Sequence, residues 1–443
     1  MDKLTALSVK GEAFLLRRVG YTVLVDSGYG AKPLIAAISK LNEPIQHVDI
    51  AVCTHADNDH AGGFTTLLDK GRLTVGEFWL PGSWSEWVPR LLLQPEAALV
   101  TVVDDLRRMS REFPQAFEGE GPRSLANVLK SAAARELPGP NEARAQELRR
   151  TAARELPPER RELPEQRRRI LGERGNDLPR PVLARPEESE QLGRLRELRE
   201  EIAEASHDMP RRILNAKASV RRIARSRGLN SQWQSYWLTL IDTAARIRKI
   251  AEQAIKHDVP IRWFDYSCFA TSGGASGGID PLLTPINAVE LIEPPPLTVS
   301  FWAFLSVVNQ ESLVFVSSTR GGADVLFSAD SPLGSGANFE KSFFEDHRFC
   351  RHGLVVTAPH HGSQSNAIAY GHMERASCRP ALFVRSGGKS THPGRTFREL
   401  PPAQRVCVHC PYRGYKHRQA EILLSASYWH HGNLRISGHE CDC

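Results

Sequence analysis

The stretch His55-Ala56-Asp57-Asn58-Asp59-His60 places two imidazoles and two carboxylates within six residues. It directly follows Val48-Asp-Ile-Ala-Val-Cys53, an apolar run typical of a buried β-strand. Folds of the α/β class place their chemistry at the carboxyl ends of strands, and clustered His and Asp side chains suit divalent metals. The stretch therefore predicts a metal site. The competing interpretation is a polar loop whose Asp residues cap the next helix.

Three later segments also place polar side chains directly after apolar, strand-like runs. They are Phe327-Ser-Ala-Asp330, Val356-Thr-Ala-Pro-His360-His361-Gly-Ser363 and Ser386-Gly-Gly-Lys389-Ser-Thr-His392. A single histidine at a strand end is more often a satisfied polar residue than a ligand, but four such clusters in one chain are hard to explain in that way. We expect the four to meet, with the carboxylate of Asp330 bridging two metal ions.

The character of the sequence changes twice along the chain. Residues 1–85 and 259–400 alternate short apolar runs with turns, whereas residues 86–258 are highly charged and have helical periodicity. We predict one α/β unit, formed by the two outer segments and interrupted by a large helical insertion. Residues 401–443 follow as a cysteine-rich tail.

The composition favours a globular protein over a disordered or membrane protein. Of the 443 residues, 41% are apolar and 24% are charged, which is ordinary for a chain that buries a sizeable core. No secretory signal opens the sequence and no apolar run is long enough to cross a bilayer, so we expect no membrane association and a cytoplasmic location. The net charge of +6 arises in the helical segment and hints at an anionic partner.

The order of these motifs resembles that of the metallo-β-lactamase superfamily. More narrowly, Asp57, the phrase His360-His361-Gly362-Ser363 and the pair His392-Pro393 resemble the metallo-hydrolase domain of the ComEC-type DNA-uptake proteins and their soluble relatives. The resemblance covers residues 1–85 and 259–400, without the membrane channel of the uptake proteins. It implies an αββα sandwich with the metals at one edge, here interrupted by the helical insertion.

The resemblance also implies two divalent metal ions that share one bridging acid. The first ion would be held by His55, Asp57 and Asp330, and the second by Asp59, His60, His392 and Asp330. The superfamily's usual third histidine has no counterpart, since only His207 and His257 lie between the second motif and Asp330, both within the helical segment. Asp57 adds an oxygen ligand where most members have histidine, which shifts the preference from zinc toward manganese or magnesium.

Six side chains are expected to act on the substrate or to support the metals. Asp59 belongs to the predicted catalytic centre, and Asp26 would orient a ligand or assist it. His360 or His361 would be a ligand or would contact the scissile phosphate and protonate the leaving oxygen. Ser363 and Lys389 are candidates for phosphate contact, against plain turn and surface roles.

Two further features lie outside these motifs. Cys407, Cys410, Cys441 and Cys443 could close a structural zinc site in the tail, although idle thiols in a reducing compartment are an equal alternative. In the helical segment, four arginines and three aromatic residues form a predicted patch for nucleic acid or a partner protein, unless they belong to a solvated helix face. They are Arg221, Arg222, Arg225, Arg227, Trp233, Tyr236 and Trp237.

The predicted function is a metal-dependent phosphodiesterase, in particular a DNA nuclease. The resemblance to soluble relatives also implies a role in bacterial defence against phage. Two alternatives stay open, since this fold also hydrolyses amides, lactones and thioesters, and a metal-stabilised scaffold or sensor could act through the helical segment alone.

Overall fold

A computed structural model describes the fold. It describes residues 2–112, 114–117, 189–292, 305, 311–319, 322–336, 338–345, 353–375, 380–388, 391–409, 419–424, 436–437, 441 and 443.

Seventeen strands are present in the described ranges, and most of them are the apolar runs of the sequence. They are β1 (Lys3–Ala6), β2 (Phe14–Arg18), β3 (Tyr21–Val25), β4 (His47–Val52), β5 (Thr74–Pro81), β6 (Ile261–Asp265), β7 (Thr284–Pro285), β8 (Val289–Leu291), β9 (Phe315–Ser317), β10 (Asp324–Phe327), β11 (Gly334–Ser335), β12 (Lys341–Ser342), β13 (Leu354–Thr357), β14 (Pro380–Arg385), β15 (Arg405–Cys407), β16 (Ala420–Leu423) and β17 (Ile436–Ser437).

These strands form two large sheets and one small hairpin. The first sheet has the order β17-β16-β1-β2-β3-β4-β5-β6-β8, and the second has the order β15-β14-β13-β10-β9-β7. Strands β3, β4, β5 and β6 run parallel, as do β10, β13, β14 and β15. Parallel neighbours bring their carboxyl ends to the same edge of a sheet, so the loops after β3, β4, β10, β13 and β14 can converge.

The α-helices of the described ranges fall mostly between β5 and β6. They are α1 (Ala31–Ile38), α2 (Asn58–Ala61), α3 (Gly82–Ser85), α4 (Val88–Leu93), α5 (Pro95–Glu112), α6 (Glu190–Glu197), α7 (Arg199–His207), α8 (Met209–Ser226), α9 (Ser231–Lys256), α10 (Tyr266–Ser272), α11 (Ala367–Arg375) and α12 (Arg395–Glu399). The longest, α9, begins where the Asn230 side chain accepts hydrogen bonds from the amides of Gln232 and Trp233.

Three apolar clusters define the layers of the molecule. One lies between the two sheets and joins Phe14 and Val23 of the first sheet to Phe315 and Val355 of the second. Another packs α1, α5, α8 and α9 on the outer face of the first sheet, and a third packs α11 and α12 on the outer face of the second. The mixed α/β class predicted from the sequence is confirmed, with two sheets between helical layers.

The chain between β5 and β6 contributes to the core of the first sheet. Because β5 and β6 are adjacent and parallel, the connection must cross over the sheet, and α9 makes that crossing in contact with α4 and α5. Leu240, Ile247 and Ala251 of α9 are buried in the same cluster as the outer face of the sheet. Residues 118–188 of the predicted insertion lie outside the described residues.

The predicted basic and aromatic patch is wrong for its two tryptophans. Trp233 and Trp237 are fully buried, and the indole nitrogen of Trp233 donates to the Phe117 carbonyl over 3.0 Å. Helical periodicity places these rings on the apolar face of α9, where they pack in the core and cannot stack on bases. The four arginines of the patch are exposed on and beside α8.

A buried arginine connects three strands of the first sheet. Arg262 in β6 donates to both carboxylate oxygens of Glu290 in β8, at 2.8 and 2.6 Å, and to Glu77 in β5 at 3.3 Å. Its guanidinium also lies 4.6 Å from the centre of the Trp79 ring. The neighbouring carboxylates outweigh the effect of burial, which alone would lower the pKa of Arg262, and the pKa rises.

None of the helices in the described ranges is long and apolar enough to cross a membrane.

Candidate metal centre

The predicted metal-binding loop begins at the carboxyl end of β4. The chain leaves β4 at Val52 and enters the short helix α2 at Asn58. His55 and His60 are buried, at 2% and 0% exposure, whereas Asp57 and Asp59 are partly exposed. The loop thus presents buried imidazoles together with partly exposed carboxylates, which fits a site that solvent can reach from one side.

Asp26, at the end of β3, orients both imidazoles of this loop. Its Oδ2 accepts from His60 Nδ1 over 2.8 Å and from the Thr54 hydroxyl over 2.8 Å. The same hydroxyl lies 2.9 Å from His55 Nδ1; because its proton is given to Asp26, it accepts from that nitrogen. Both rings are therefore held through Nδ1, which leaves Nε2 to face the other polar groups, as in metal-binding histidines. Asp26 is fully buried and acts through these side chains.

Asp330 follows β10 and is the point on which the imidazoles converge. Its Oδ2 lies 3.7 Å from His55 Nε2 and 3.4 Å from His360 Nε2. Its Oδ1 lies 3.3 Å from His60 Nε2 and 3.9 Å from His361 Nε2. The two carboxylate oxygens thus face two different pairs of imidazoles, which is the arrangement expected of an acid that bridges two cations.

The adjacent His360 and His361 both reach the centre because of an unusual backbone. They follow β13 with φ angles of 49° and 54°, in the left-handed region that costs non-glycine residues about 1–3 kcal/mol each. His360 N donates to Ala329 O over 2.9 Å, and Arg385 Nε donates to His361 O over 3.0 Å. These hydrogen bonds hold a conformation that turns both side chains toward Asp330.

His361 is oriented as His60 is, but by different residues. Its Nδ1 donates to the Ser386 carbonyl over 2.9 Å and lies 3.1 Å from Glu12 Oε2. Its Nε2 lies 3.3 Å from Asp59 Oδ2 and 3.3 Å from His60 Nε2. Glu12 was not predicted, because one acid in a loop between two strands carries no local signal of burial. The structure buries it at 2% exposure, with its amide donating to Asp59 O over 2.7 Å.

We refer to His55, Asp59, His60, Asp330, His360 and His361 as the metal centre. His360 stands beside His55 and Asp330, where the resemblance left the first position without a third histidine. His207 and His257 are remote from the centre: His207 is exposed and His257 contacts Asp69. The loop after β13 thus offers a candidate for the missing donor, from a part of the chain that the usual order of the motifs does not suggest.

The His392 ring lies beside the imidazoles of the centre, 5.8 Å from that of His360 and 6.0 Å from that of His361, whose rings are 5.9 Å from each other. Asp57 is partly exposed, at the solvent side of its loop. Ser363 accepts from the Ser365 amide and begins a short helical turn, which is the structural role weighed against phosphate contact. Lys389 lies outside the described residues.

The carboxylates and imidazoles of the centre shift one another's pKa values. Although burial alone would lower it, hydrogen bonds to Asp59 and Glu12 raise the pKa of His361 to about 10, and Asp330 and Asp26 likewise raise the pKa of His60. Burial opposes the shift at Asp330, yet His60 and the other imidazoles lower its pKa. The carboxylates thus favour positive charge at His60 and His361, and a bound metal ion would supply such a charge.

The residues fit divalent metals by a further criterion. His55 Nε2 is buried and has no hydrogen-bond partner among the described residues, and it faces Asp330. A buried polar atom without a partner is costly unless a ligand completes it. His55, His60 and Asp330 each offer a donor atom within 4.8 Å of the others. Nitrogen and oxygen donors of this kind suit zinc and manganese.

Three residues beside the centre were also missed by the sequence analysis. Arg246 of α9 donates to the Ala56 carbonyl. Burial lowers the pKa of Arg246, and the negative charges of Asp57 and Asp59 partly oppose that shift. Lys10 Nζ lies 4.8 Å above the ring of Tyr29, which is 37% exposed. Burial and then the charges of Asp59 and Asp57 raise the pKa of Tyr29, so its hydroxyl lies within the influence of the carboxylates of the loop. We refer to Lys10, Tyr29 and Arg246 as the rim.

Comparison with known families agrees with this geometry. Residues 9–129 match the family model described as the metallo-beta-lactamase superfamily, a stretch that includes β2 to β5 and the loop from His55 to His60. No curated protein matches the chain. A match to this superfamily together with clustered His and Asp donors indicates a metal-dependent hydrolase. The narrower resemblance to ComEC-type domains stays a prediction.

Proposed function

We propose that this chain is a metal-dependent phosphodiesterase that cleaves DNA. The observation that carries the proposal is the division of imidazoles by Asp330, with His55 and His360 at one carboxylate oxygen and His60 and His361 at the other. Two neighbouring sets of donors that share one acid are the arrangement that two-metal phosphodiesterases use.

Each set has enough donors for one ion. His55, His360 and Asp330 would hold the first, with the partly exposed Asp57 as a further oxygen donor. Asp59, His60, His361 and Asp330 would hold the second. When bound, two such ions lower the pKa of a water molecule toward neutrality and stabilise the oxygens of a phosphodiester during in-line displacement. The chain itself orients the imidazoles through Asp26 and Glu12 and brings the substrate to the centre.

The rim supports an anionic and aromatic substrate. Arg246 provides a fixed cation, because its bond to the Ala56 carbonyl and its charge interactions with Asp57 and Asp59 hold it beside the loop. Lys10 adds a second cation, over the half-exposed ring of Tyr29. A basic groove with an exposed aromatic face is how proteins bind a nucleic-acid strand without sequence preference.

His392 is the nearest further imidazole to the reacting groups. Its ring lies 5.8 Å from that of His360 and is partly exposed, so it borders the space that a substrate would occupy. In this proposal His360 and His361 face Asp330 as donors to the metals. Burial and then the neighbouring His361 and His360 lower the pKa of His392 to about 4, so its neutral imidazole can serve as a further donor to the second ion.

The test is cleavage of labelled single- and double-stranded DNA by metal-depleted protein supplied with Mn²⁺, Zn²⁺ or Mg²⁺. We expect metal-dependent cleavage that falls at least about a hundredfold in Asp330→Asn and in His360→Ala, the loss typical of a ligand or its support. Asp69→Asn and His47→Ala remove the same groups away from the centre and should retain activity. Absence of cleavage with every metal, or hydrolysis of a lactone, thioester or amide instead, would contradict the proposal.

The wider context also stays at the level of proposal. A role in defence against foreign DNA predicts that phage form fewer plaques on cells that produce the unaltered protein than on cells that produce Asp330→Asn. A partner protein on the exposed arginines of α8 and a cytoplasmic location are further predictions from the sequence, as are the domain boundaries at residues 85, 258 and 400.

A further inference from the structure

The structure brings three cysteines together at the edge of the second sheet. Cys407 ends β15, the outermost strand, and Cys441 and Cys443 come from the far end of the sequence. Each offers a sulfur within 4.8 Å of the other two, and the Sγ atoms of Cys407 and Cys443 are 3.5 Å apart. We refer to these three as the thiol cluster. Cys410, the fourth cysteine of the predicted site, lies outside the described residues.

The spacing of the sulfurs matches a shared zinc ion. Four thiolates arranged tetrahedrally at a Zn–S distance of about 2.3 Å are about 3.8 Å from one another. No disulfide joins the described cysteines, and all three thiols of the cluster are buried or half-buried. Soft thiolate ligands select zinc over the harder cations that carboxylates prefer.

The surroundings of the cluster are prepared for negative charge. Arg385 Nη1 donates to Cys443 Sγ over 3.5 Å, and Arg405 Nη1 donates to the Cys443 carbonyl over 3.1 Å. Three thiolates this close together repel one another unless a cation lies among them, and a zinc ion with three thiolates carries one net negative charge for the arginines to balance.

Arg385 also connects the thiol cluster to the metal centre. Besides Cys443 Sγ, its guanidinium donates to His361 O over 3.0 Å and to Gly387 O over 3.4 Å. His409, two residues after Cys407, contacts the same Gly387 carbonyl at 2.8 Å. His361 has a left-handed backbone, so its orientation depends on such external hydrogen bonds.

We propose that Cys407, Cys441 and Cys443 bind a structural zinc ion, and that this site positions His361 of the metal centre through Arg385. The site ties the end of the sequence to β15 and fixes the guanidinium whose other nitrogens hold the His361 loop. Arg385 is in this view a positioning residue, and the zinc ion takes no part in the reaction. The inference concerns metal content and does not depend on the substrate named above.

The first experiment measures zinc held by sulfur alone. A mercurial thiol reagent displaces zinc from cysteines, and a coloured chelator reports the zinc released; the Asp59→Asn variant serves as background to weaken the metal centre. We expect about one equivalent from this protein, none from Cys443→Ser, and an unchanged amount from Cys268→Ser, which removes a buried thiol elsewhere. Release of no zinc, or a mass that shows a disulfide among the three cysteines, would overturn the proposal.

A second measurement guards against variants that fail to fold. The unaltered protein, loaded with Co²⁺ in place of zinc, should show the intense near-ultraviolet absorption of sulfur bound to cobalt. If the absorption is absent at full cobalt occupancy, the thiol cluster is not a metal site, whatever the variants do.

The positioning role has its own test. Arg385→Lys keeps a positive charge but cannot reach three acceptors at once. We expect it to retain the sulfur-bound zinc and to weaken metal binding at the metal centre about tenfold to a hundredfold, as the loss of a group that orients a ligand does. Arg395→Lys, at an exposed site on α12, should change neither. An unchanged affinity in Arg385→Lys would show that the two sites are independent.

Discussion

Each ring nitrogen of His361 has two polar neighbours, and these contacts set the orientation and basicity of the imidazole. Its Nε2 faces Asp59 and Asp330, and its Nδ1 faces Glu12 and the Ser386 carbonyl. Glu12 lies in a fully buried position, and burial, its largest influence, raises the pKa of its carboxyl group. Glu12 Oε2 lies 3.1 Å from His361 Nδ1, where a negative carboxylate favours a more basic imidazole.

Replacing this acid should weaken metal binding without dismantling the centre. We expect Glu12→Gln to raise the dissociation constant for the metal about tenfold to a hundredfold, because the amide no longer increases the basicity of His361. Competition with a chromophoric chelator measures the effect. Glu43→Gln removes an exposed carboxylate that contacts Arg17 and serves as the matched control. Equal affinities of Glu12→Gln and the unaltered protein would remove Glu12 from the site.

The rim makes a separate prediction about substrate. If Tyr29 stacks on a base, Tyr29→Ala should raise the KM for single-stranded DNA about tenfold while kcat stays close to its original value, since stacking contributes about 1–3 kcal/mol per base. Lys10→Ala should raise KM as well and reduce its dependence on salt. Lys40→Ala removes another exposed lysine from the N-terminal part of the chain and is the control. A loss confined to kcat would argue against substrate contact.

The sequence predicted those residues whose signal is local. His55, His60, Asp330 and His360 stand at the ends of apolar runs, and the structure brings all four together. Glu12 and Arg246 could not be found in this way, because their position depends on pairings made hundreds of residues away. His392 has the same local signal as His360, and the structure places its ring 5.8 Å from the ring of His360.

Among the elements, α9 links the crossover connection to the metal-binding loop. Its last turn is held by Asp69, which accepts from Lys256 Nζ at 2.6 Å, Gln253 Nε2 at 2.7 Å and His257 Nε2 at 3.0 Å. Ten residues upstream, Arg246 reaches the Ala56 carbonyl. The helix is thus fastened near the site and at its end, which gives the rim a fixed place relative to the loop.

The Asp69 contacts should appear as a pH-dependent part of stability. Burial opposes the shift, but the hydrogen bonds from Lys256 and its neighbours lower the pKa of Asp69 to about 2. A lowered pKa stabilises the fold above the ordinary value near 3.8, and this contribution is lost as the pH falls toward 2. Because the groups are partly exposed, we expect Asp69→Asn to cost about 0.5–1 kcal/mol at pH 7 and the difference to vanish near pH 2. Urea unfolding across this pH range measures it, and a constant difference would contradict the assignment.

The buried arginine of β6 has a larger effect on stability. Arg262→Leu leaves Glu290 and Glu77 buried without their cation, so we expect a loss of about 3–5 kcal/mol. Arg17→Leu removes an arginine that pairs with an exposed glutamate and should cost less than about 1 kcal/mol. Chemical unfolding curves compare the two variants directly. A similar small loss in both would mean that the contacts around Arg262 do not stabilise the sheet.

At the scale of the whole molecule, the metal centre joins the two sheets. His55 and His60 follow β4 of the first sheet, and Asp330 and His360 follow β10 and β13 of the second. Arg18 of β2 makes another connection between them, donating to Ser317 O at 3.1 Å and Ala323 O at 2.9 Å. A metal ion bound by both halves should therefore stabilise the complete sandwich rather than one loop.

Metal binding should accordingly shift the unfolding of the entire chain. At a free metal concentration one hundred times the dissociation constant, the folded state gains about 2.7 kcal/mol, which corresponds to several degrees in Tm. Thermal scans with and without Mn²⁺ measure the shift, because Zn²⁺ would also bind the thiol cluster. It should disappear in Asp330→Asn and persist in Asp69→Asn. A shift that survives Asp330→Asn would place the stabilising metal elsewhere.

The separation of His60 and Asp330 along the chain also matters during synthesis. About 270 residues stand between them, and ribosomes add roughly 5–20 residues each second, so the early imidazoles and carboxylates leave the ribosome roughly 15–50 s before the acid that completes their site. His360 and His361 emerge later still. During that interval the growing chain can capture a metal only weakly, and the ion finally bound is selected after translation has passed Asp330, by the metals then present in the cell.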